Sequence, residues 1–357
     1  MSGVNSQRRI PALFYCLLLL LLLLLMIIGA AAVGAARLPL SSVWQVFADL
    51  FSGVSGSVAM GSVDGVGSAA RMIVLDVRLP RIMSALLVGS ALGVAGAVFQ
   101  GLLLNSLADP FTIGVSAGAA FGATIAILLP TYLVLPAFLS DAAIVPGFAF
   151  VGALFSLSLV YYIARNRGRV MPESMILAGV IVASFLSALI SFCQSIAGEK
   201  LAAVVFWIMG GFSGAMWSQV LLLLPYCLVC MLILQAHAGD LNIMAMGDTT
   251  ALQLGVEVYK IRRRLLMVAA LMTAAAVSVS GVIGFVGLVV PHINRILLGP
   301  DHRRLLPASA LLGGLVLVAA DTLARTAAGA TEIPVGVVTA LLGAPFFCII
   351  FKKKFHQ

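Results

Sequence analysis

D-V-R-L-P-R at 76–81, an apolar glycine-punctuated span, N-S-L-A-D-P at 105–110 and a second glycine-ridged span decide how this chain folds. Two segments of membrane length are joined there by a short polar hairpin, with an arginine pair at the mouth of the first. Arginines are ordinary on the cytoplasmic side of a membrane. On the other side, Arg78 and Arg81 need a reason.

Outward from this stretch the composition stays the same. Hydrophobic residues make up 62% of the 357 and charged residues 10%, against about 25% charged in soluble domains. A crossing helix needs roughly 20 apolar residues. Candidate spans fall near 13–33, 82–104, 112–130, 142–163, 175–196, 218–236, 265–283, 284–298, 305–324 and 333–351. The reading is an all-α polytopic membrane protein of about ten transmembrane helices, one transmembrane domain over 1–357. Arg8 and Arg9 before the first span, and the alanines at 30–36, imitate a secretory signal. The apolar run is longer than the roughly 7–15 residues of a signal core, and more spans follow, so it reads as a retained helix.

The charge pattern orients the chain. Arg8–Arg9, Arg165/Arg167/Arg169, Lys260 with Arg262–Arg264, Arg303–Arg304 and Lys352–Lys354 each sit beside a span end. With ten spans and both termini inside, all these clusters face the cytoplasm. This bias accounts for the net charge of +8, and no nucleic-acid partner is expected. Arg37, Arg71, Arg78, Arg81, Lys200 and Arg325 are left outside. Arg37, Arg71 and Lys200 read as interfacial charges that snorkel to headgroups. Arg78, Arg81 and Arg325 suit a partner that carries carboxylates, which arginine binds bidentately.

Small residues recur every fourth position: Gly89 and Gly93, then Gly114, Gly118 and Gly122. Such ridges let backbones approach closely where lipid supplies no drive for association. The last span holds Pro334, Gly336, Gly343 and Pro345, and a proline inside a span predicts a kink or broken turn beside a translocation path. The longest inner segment, about 237–264, places Leu241, Met244 and Ala245 on one face and Ala251, Leu254 and Val258 on another. It reads as two short amphipathic helices hinged at Gly247, the second capped by Asp248 and Thr249. They suit either a membrane surface or a partner's groove.

No G-x-x-x-x-G-K-[ST] occurs, so ATP binding by that loop is excluded. No H-E-x-x-H occurs, and Cys227 and Cys230 form a C-x-x-C inside an apolar span, where packing is the better reading than a metal site. Acidic groups within spans are sparse, Asp321 being one, which argues against an ion-coupled carrier. G-V-S-A-G at 114–118 lacks the strand–turn–helix context of a nucleophile elbow. G-F-S-G at 211–214 is similar to the serine motif of rhomboid proteases, for which His292 would have to act as base. Trp207 and Trp217 read as interfacial aromatics.

Taken in order, R-L-P-R at 78–81, N-x-L-A-D-P at 105–110, G-V-S-A-G-A at 114–119, W-I-M-G-G-F at 207–212 and L-G-V at 254–256 carry a resemblance. G-F-V-G-L-V-V-P-H at 284–292, D-H-R at 301–303, A-D-T-L-A-R at 320–325 and E-I-P-V-G-V-V-T-A-L-L-G-A-P-F-F at 332–347 complete it. The chain resembles the FecCD-type, BtuC-like permease subunits of ABC importers for iron–siderophores, haem and cobalamin. The resemblance implies a ten-helix type II importer fold and a dimer with a second permease subunit, identical or not. It also implies two ABC ATPases that hold ATP and magnesium, and an extracytoplasmic binding protein; this chain would bind no cofactor and carry no catalytic residue. Arg78, Arg81 and Arg325 would meet glutamates of the binding protein. Leu241, Met244, Gly247, Asp248, Leu254 and Gly255 would couple to the ATPases. The inner gate would match Asn105 and Leu107 with Glu173 and Ser174. Gly114, Gly118, Gly343 and Pro345 would stand on or near the path. Ser106 replaces the family's usual proline, which loosens the hairpin. The membrane would be the cytoplasmic, or inner, membrane of a bacterium or archaeon.

Overall fold

The computed structural model describes residues 11–34, 65–132, 141–166, 169–327 and 331–355, with a few positions between 39 and 48. Arg8, Arg9, Arg37 and Arg167 lie outside the described residues. Fourteen α-helices account for nearly all of the described structure. They are α1 (Ala12–Ala32), α2 (Gly65–Met72), α3 (Leu79–Leu102), α4 (Val115–Tyr132), α5 (Asp141–Ala164), α6 (Pro172–Ser195) and α7 (Leu201–Met209). After them come α8 (Trp217–Ala236), α9 (Ala238–Met244), α10 (Asp248–Gln253), α11 (Val258–Ser280), α12 (Val286–Leu298), α13 (His302–Ala324) and α14 (Val335–Phe355). Strands β1 (Arg165–Asn166) and β2 (Arg169–Val170) make a two-residue antiparallel ladder between α5 and α6.

Seven helical stretches are long and apolar enough to cross a membrane, and three shorter apolar helices lie in α4, α12 and α14. They match the ten expected spans in order. Helix α1 turns leucines outward along most of its length and packs its other face on α13, and Tyr15 Oη donates to Asn294 Oδ1 of α12 at 3.0 Å. Cys227 and Cys230 are buried on α8, in the core.

Three expectations are corrected. The second span does not begin after the arginines: α2 runs through a π-helical turn (Ile73–Arg78) into α3, so Arg78 and Arg81 belong to the helix itself. Pro80 supplies the reason, since it lacks an N–H and its ring crowds the carbonyl four residues back, and the wider turn relieves both. The seventh span ends at Ser280, and Gly281, with φ +68°, starts a loop that delays α12 to Val286. At 13 residues, α12 is only roughly 20 Å long and short of a full crossing. Pro345 breaks nothing: α14 continues to Phe355 with the proline inside it.

The centre is the α3–α13 pair. A Cβ at Gly89 would collide with the Gly313 carbonyl, one at Gly93 with the Ser309 carbonyl, and one at Gly101 with the His302 ring. At Gly96 it would strike the Gly287 carbonyl of α12. Gly118 and Gly122 press the carbonyls of Gly152 and Phe148, so α4 pairs with α5 in the same way. Backbone-to-backbone contact of this kind is how helices associate in lipid.

Candidate translocation site

The three singled-out arginines come together at one end of the bundle. Arg81 Nε stands 2.9 Å from Asp321 Oδ1, and its Nη1 donates to Glu332 at 2.8 Å and 2.9 Å. Arg325 lies one turn beyond Asp321, with Nε 3.5 Å from Oδ2, and its Nη2 donates to the Ala30 carbonyl at 2.8 Å. Arg78 Nη1 donates to the carbonyls of Ala31 and Ala32 at 2.5 Å and 3.0 Å. The last carbonyls of a helix have no intrahelical partner and sit at its negative pole. Two arginines therefore cap α1, and the third is neutralised by two carboxylates. All three are largely buried, with Arg81 the most open at 11%. The cluster carries three cations against two anions.

Glu332 was not singled out by the sequence reading, although E-I-P at 332–334 places an acid just before a helix. It also accepts from Ser213 Oγ at 2.7 Å. Burial works to raise its carboxyl, but the bonds from Arg81 and Ser213 hold it below its ordinary value. Ser213 thus faces Glu332 rather than a histidine, while His292 lines a different cavity. Ser116 of the other serine motif is buried in α4. Trp217 does more than sit at an interface: its Nε1 donates to the Leu75 carbonyl in the π turn at 2.9 Å.

Three cavities follow α14 away from the arginines. The first, about 540 Å³, is lined by Arg81, Trp207, Ser213, Ser280, Glu332 and Val335. The second, about 290 Å³ and almost wholly apolar, lies between α12, α13 and α14 and touches Phe285, Thr339, Leu342, Gly343 and Phe346. The third is small and joins Ser106 of the hairpin to His292, Phe346 and Phe347. Positions 335, 339, 342, 343 and 346 share one helical face, so a single face of α14 borders the whole series. Of the expected path residues, Gly343 lines it, and Pro345 is turned away and exposed. Gly114 and Gly118 do not: Gly114 ends a 3₁₀ turn with φ +79°, and Gly118 is consumed in packing on α5. Phe285 and Phe346 carried no sequence signal beyond ordinary apolarity, and Thr339 none beyond a hydroxyl that its own helix can satisfy.

The hairpin after α3 turns on Leu104, with φ +49°, and Asn105 Oδ1 accepts from the Leu107 amide at 2.9 Å. Leu104 and Leu107 are exposed there. Asp109 is buried and caps the 3₁₀ turn, accepting from the Phe111 amide at 3.3 Å, and burial pushes its carboxyl up to about 7. Glu173 is exposed and Ser174 half-buried in the first turn of α6.

At the same end as this hairpin, the long loop forms α9 and α10, hinged at Gly247 with φ +103°. Leu241 and Met244, expected to couple to the ATPases, are both fully buried against the bundle. The amphipathic face of α9 is used to dock the loop on its own chain. What remains outward is Met246, Leu252 and Leu254, the last 59% exposed, with Gly255 beside it. Asp248 is not the cap of α10 but its first residue, and its carboxylate takes Arg262 at 2.6 Å and 2.9 Å. That hydrogen bond holds the Asp248 carboxyl below its ordinary value.

The family model of the FecCD transport family matches residues 19–353. The cobalamin import system permease BtuC of Halobacterium salinarum is 46% identical over 290 residues, 81% of this chain and 76% of that protein. The hemin transport system permease HmuU of Yersinia pestis is 37% identical over 334 residues, 92% of each chain. A metal-chelate type ABC transporter solved in an inward-facing conformation superposes with a TM-score of 0.78 at 32% identity, over 95% of this chain and 98% of that one.

Proposed function

The chain belongs to the FecCD transport family, the permease subunits of ABC importers, and from this premise we propose that it carries a metal chelate inward across the cytoplasmic membrane. The cargo class is an iron–siderophore, haem or cobalamin, delivered from outside by a binding protein. Relatives named for cobalamin and for hemin are both similar over most of the chain. Two permease subunits flank the path, and two ATPases on the loop side supply ATP hydrolysis. The N- and C-termini are cytoplasmic.

The observation that carries this reading is the gathering of Arg78, Arg81 and Arg325 at one end of a cavity series whose other end meets the hairpin at Ser106. Incoming carboxylates would reach Arg81 first, the most open of the three, backed by the buried charges of Arg78 and Arg325, and Glu332, being the exposed acid of the cluster, is the one they would displace. Met246, Leu252 and Leu254 form an apolar knob for the ATPase. Binding protein and nucleotide shift the permease between outward- and inward-facing states only through contacts that differ between those states.

The experiment is gentle extraction of tagged protein, mass spectrometry of what co-purifies, and reconstitution with labelled ferric siderophore, hemin and cyanocobalamin as cargo probes. An ATPase bearing a Walker A loop in equal amount, with ATP-dependent uptake of one probe, supports the importer and identifies its cargo. Recovery of the chain alone, with uptake driven by an ion gradient, overturns it.

A further inference from the structure

The loop 237–256 holds the bundle at two separate places, one on each side of its hinge. Beyond Gly247, Asp248 grips Arg262 of α11. Before it, Asn242 of α9 grips the start of α13 three times. Its Oδ1 accepts from the His302 amide at 2.8 Å and lies 2.9 Å from His302 Nδ1, and its Nδ2 donates to Asp301 Oδ1 at 2.6 Å. Asp301 is itself the cap of α13, accepting from the Arg303 amide at 3.0 Å. Leu241 and Met244 add apolar contact, which holds α9 down but fixes no direction. The hydrogen bonds fix it.

Helix α13 is in turn packed closely on α3. At Gly89 and Gly93 the two backbones touch, and at Gly101 the His302 ring packs on α3, so the helices stay together over roughly 18 Å. Ser90 Oγ also donates to the Ala310 carbonyl at 2.8 Å. Interfaces packed this closely repack in steps and do not slide continuously. Arg81 of α3 and Asp321 of α13 lock the far end. The hairpin 103–110 is the direct continuation of α3.

We propose that Asn242 is the positioning residue through which the loop moves the α3–α13 pair, and with it both the hairpin and the arginine cluster. The inference rests on the importer reading, in which the loop receives the ATPase.

The test needs no cargo. The complete importer is reconstituted with the five native cysteines replaced by serine and a single probe at Leu107→Cys. The labelling rate by a membrane-impermeant maleimide is compared without nucleotide and with ATP and vanadate. The parent protein shows a change of about fivefold, the low end of ordinary coupling between sites. Asn242→Ala abolishes that change while ATP hydrolysis continues. A retained change in Asn242→Ala overturns the proposal. Should Asn242→Ala fail to assemble, Asn242→Asp, which sets two carboxylates against each other, is compared with Asn242→Asp combined with Asp301→Asn, which restores a donor and acceptor in reversed order. Recovery of the nucleotide response in the double variant supports the tie, and its absence overturns it. If no ATPase joins the parent chain, the importer reading itself has failed, which is a separate result.

Discussion

Arg81 and Asp321 stand 240 residues apart in sequence, yet Nε and Nη2 of the arginine each lie 2.9 Å from the same carboxylate oxygen. The pair closes the α3–α13 interface at its arginine end, with Asp321 almost wholly buried. Removing one partner of a buried ion pair costs about 3–5 kcal/mol, because the other charge is stranded. Among the described residues, Arg81→Ala leaves Asp321 only the Arg325 cation, at 3.5 Å. We expect thermal unfolding in detergent to begin several degrees lower in Arg81→Ala, and Arg81→Lys to recover part of the loss. An unchanged transition would show the pair to be dispensable.

Docking should respond to charge at this site in both directions. Arg78→Glu with Arg81→Glu weakens capture of the extracytoplasmic binding protein by about tenfold or more, in the range of close interfacial charge pairs. Glu332→Gln releases Nη1 of Arg81 from its carboxylate, while Asp321 keeps Nε and Nη2, and strengthens capture. Binding to the permease in nanodiscs reads both signs, and a Glu332→Gln variant that binds more weakly would argue for a merely structural carboxylate.

Two leucines of the loop should part company. Leu254→Asp alters an exposed surface, so the permease folds but loses its ATPase on co-purification. Leu241→Asp places a charge in a fully buried position, which the interior cannot solvate. That variant should fail to accumulate as folded protein. Size-exclusion profiles of the two variants, alone and with the ATPase, separate the cases.

Phe285 adopts φ +69° and packs on Gly343, where a Cβ would meet its ring and stem. A bulky residue with positive φ is held by its surroundings and marks a site worth testing. Gly343→Ala should sharply reduce uptake, and Phe285→Ala in the same chain should restore part of it. Loss without rescue would mean that Gly343 matters for some other contact.

Asp109 predicts a pH dependence with a definite sign. Its carboxyl titrates near 7 in the fold against an ordinary 3.8, so between those values the folded chain holds a proton that the unfolded chain has released. Stability contributed by this group is therefore complete below about 3.8 and declines as pH rises toward 7. Asp109→Asn should flatten that part of the profile. Thermal transitions of both proteins from pH 5 to about pH 8 provide the comparison.

Much of the architecture was legible because lipid enforces a simple code. Runs of apolar residues give the spans, and glycines at four-residue spacing give the close pairs. Gly89 and Gly93 were readable in this way, and so was the hinge at Gly247, where a backbone with φ +103° favours glycine. The ends of helices were less legible. The apolar pattern of the second span starts near Ile82, but a helix needs only satisfied backbone, and the π turn before Pro80 provides it. Pro345 misled in the opposite direction, since its neighbours tolerate the proline without a break.

The candidate site divides along the same line. Arg78, Arg81 and Arg325 were visible because, in the orientation the charge pattern implies, they fall on the side where basic residues are scarce. That Arg78 and Arg325 cap α1, or that Glu332 joins Arg81 to Ser213, was invisible: these contacts join residues far apart in sequence. Leu241 and Met244 show the limit most plainly. Periodicity finds an apolar face, but it cannot say whether that face meets a partner or the chain's own bundle. By itself, then, the sequence determined the membrane class, the order of the apolar helices and the residues too unusual to be packing alone. Only the tertiary structure decided which charges neutralise one another and which apolar faces stay open, because both depend on what burial brings within a few ångströms.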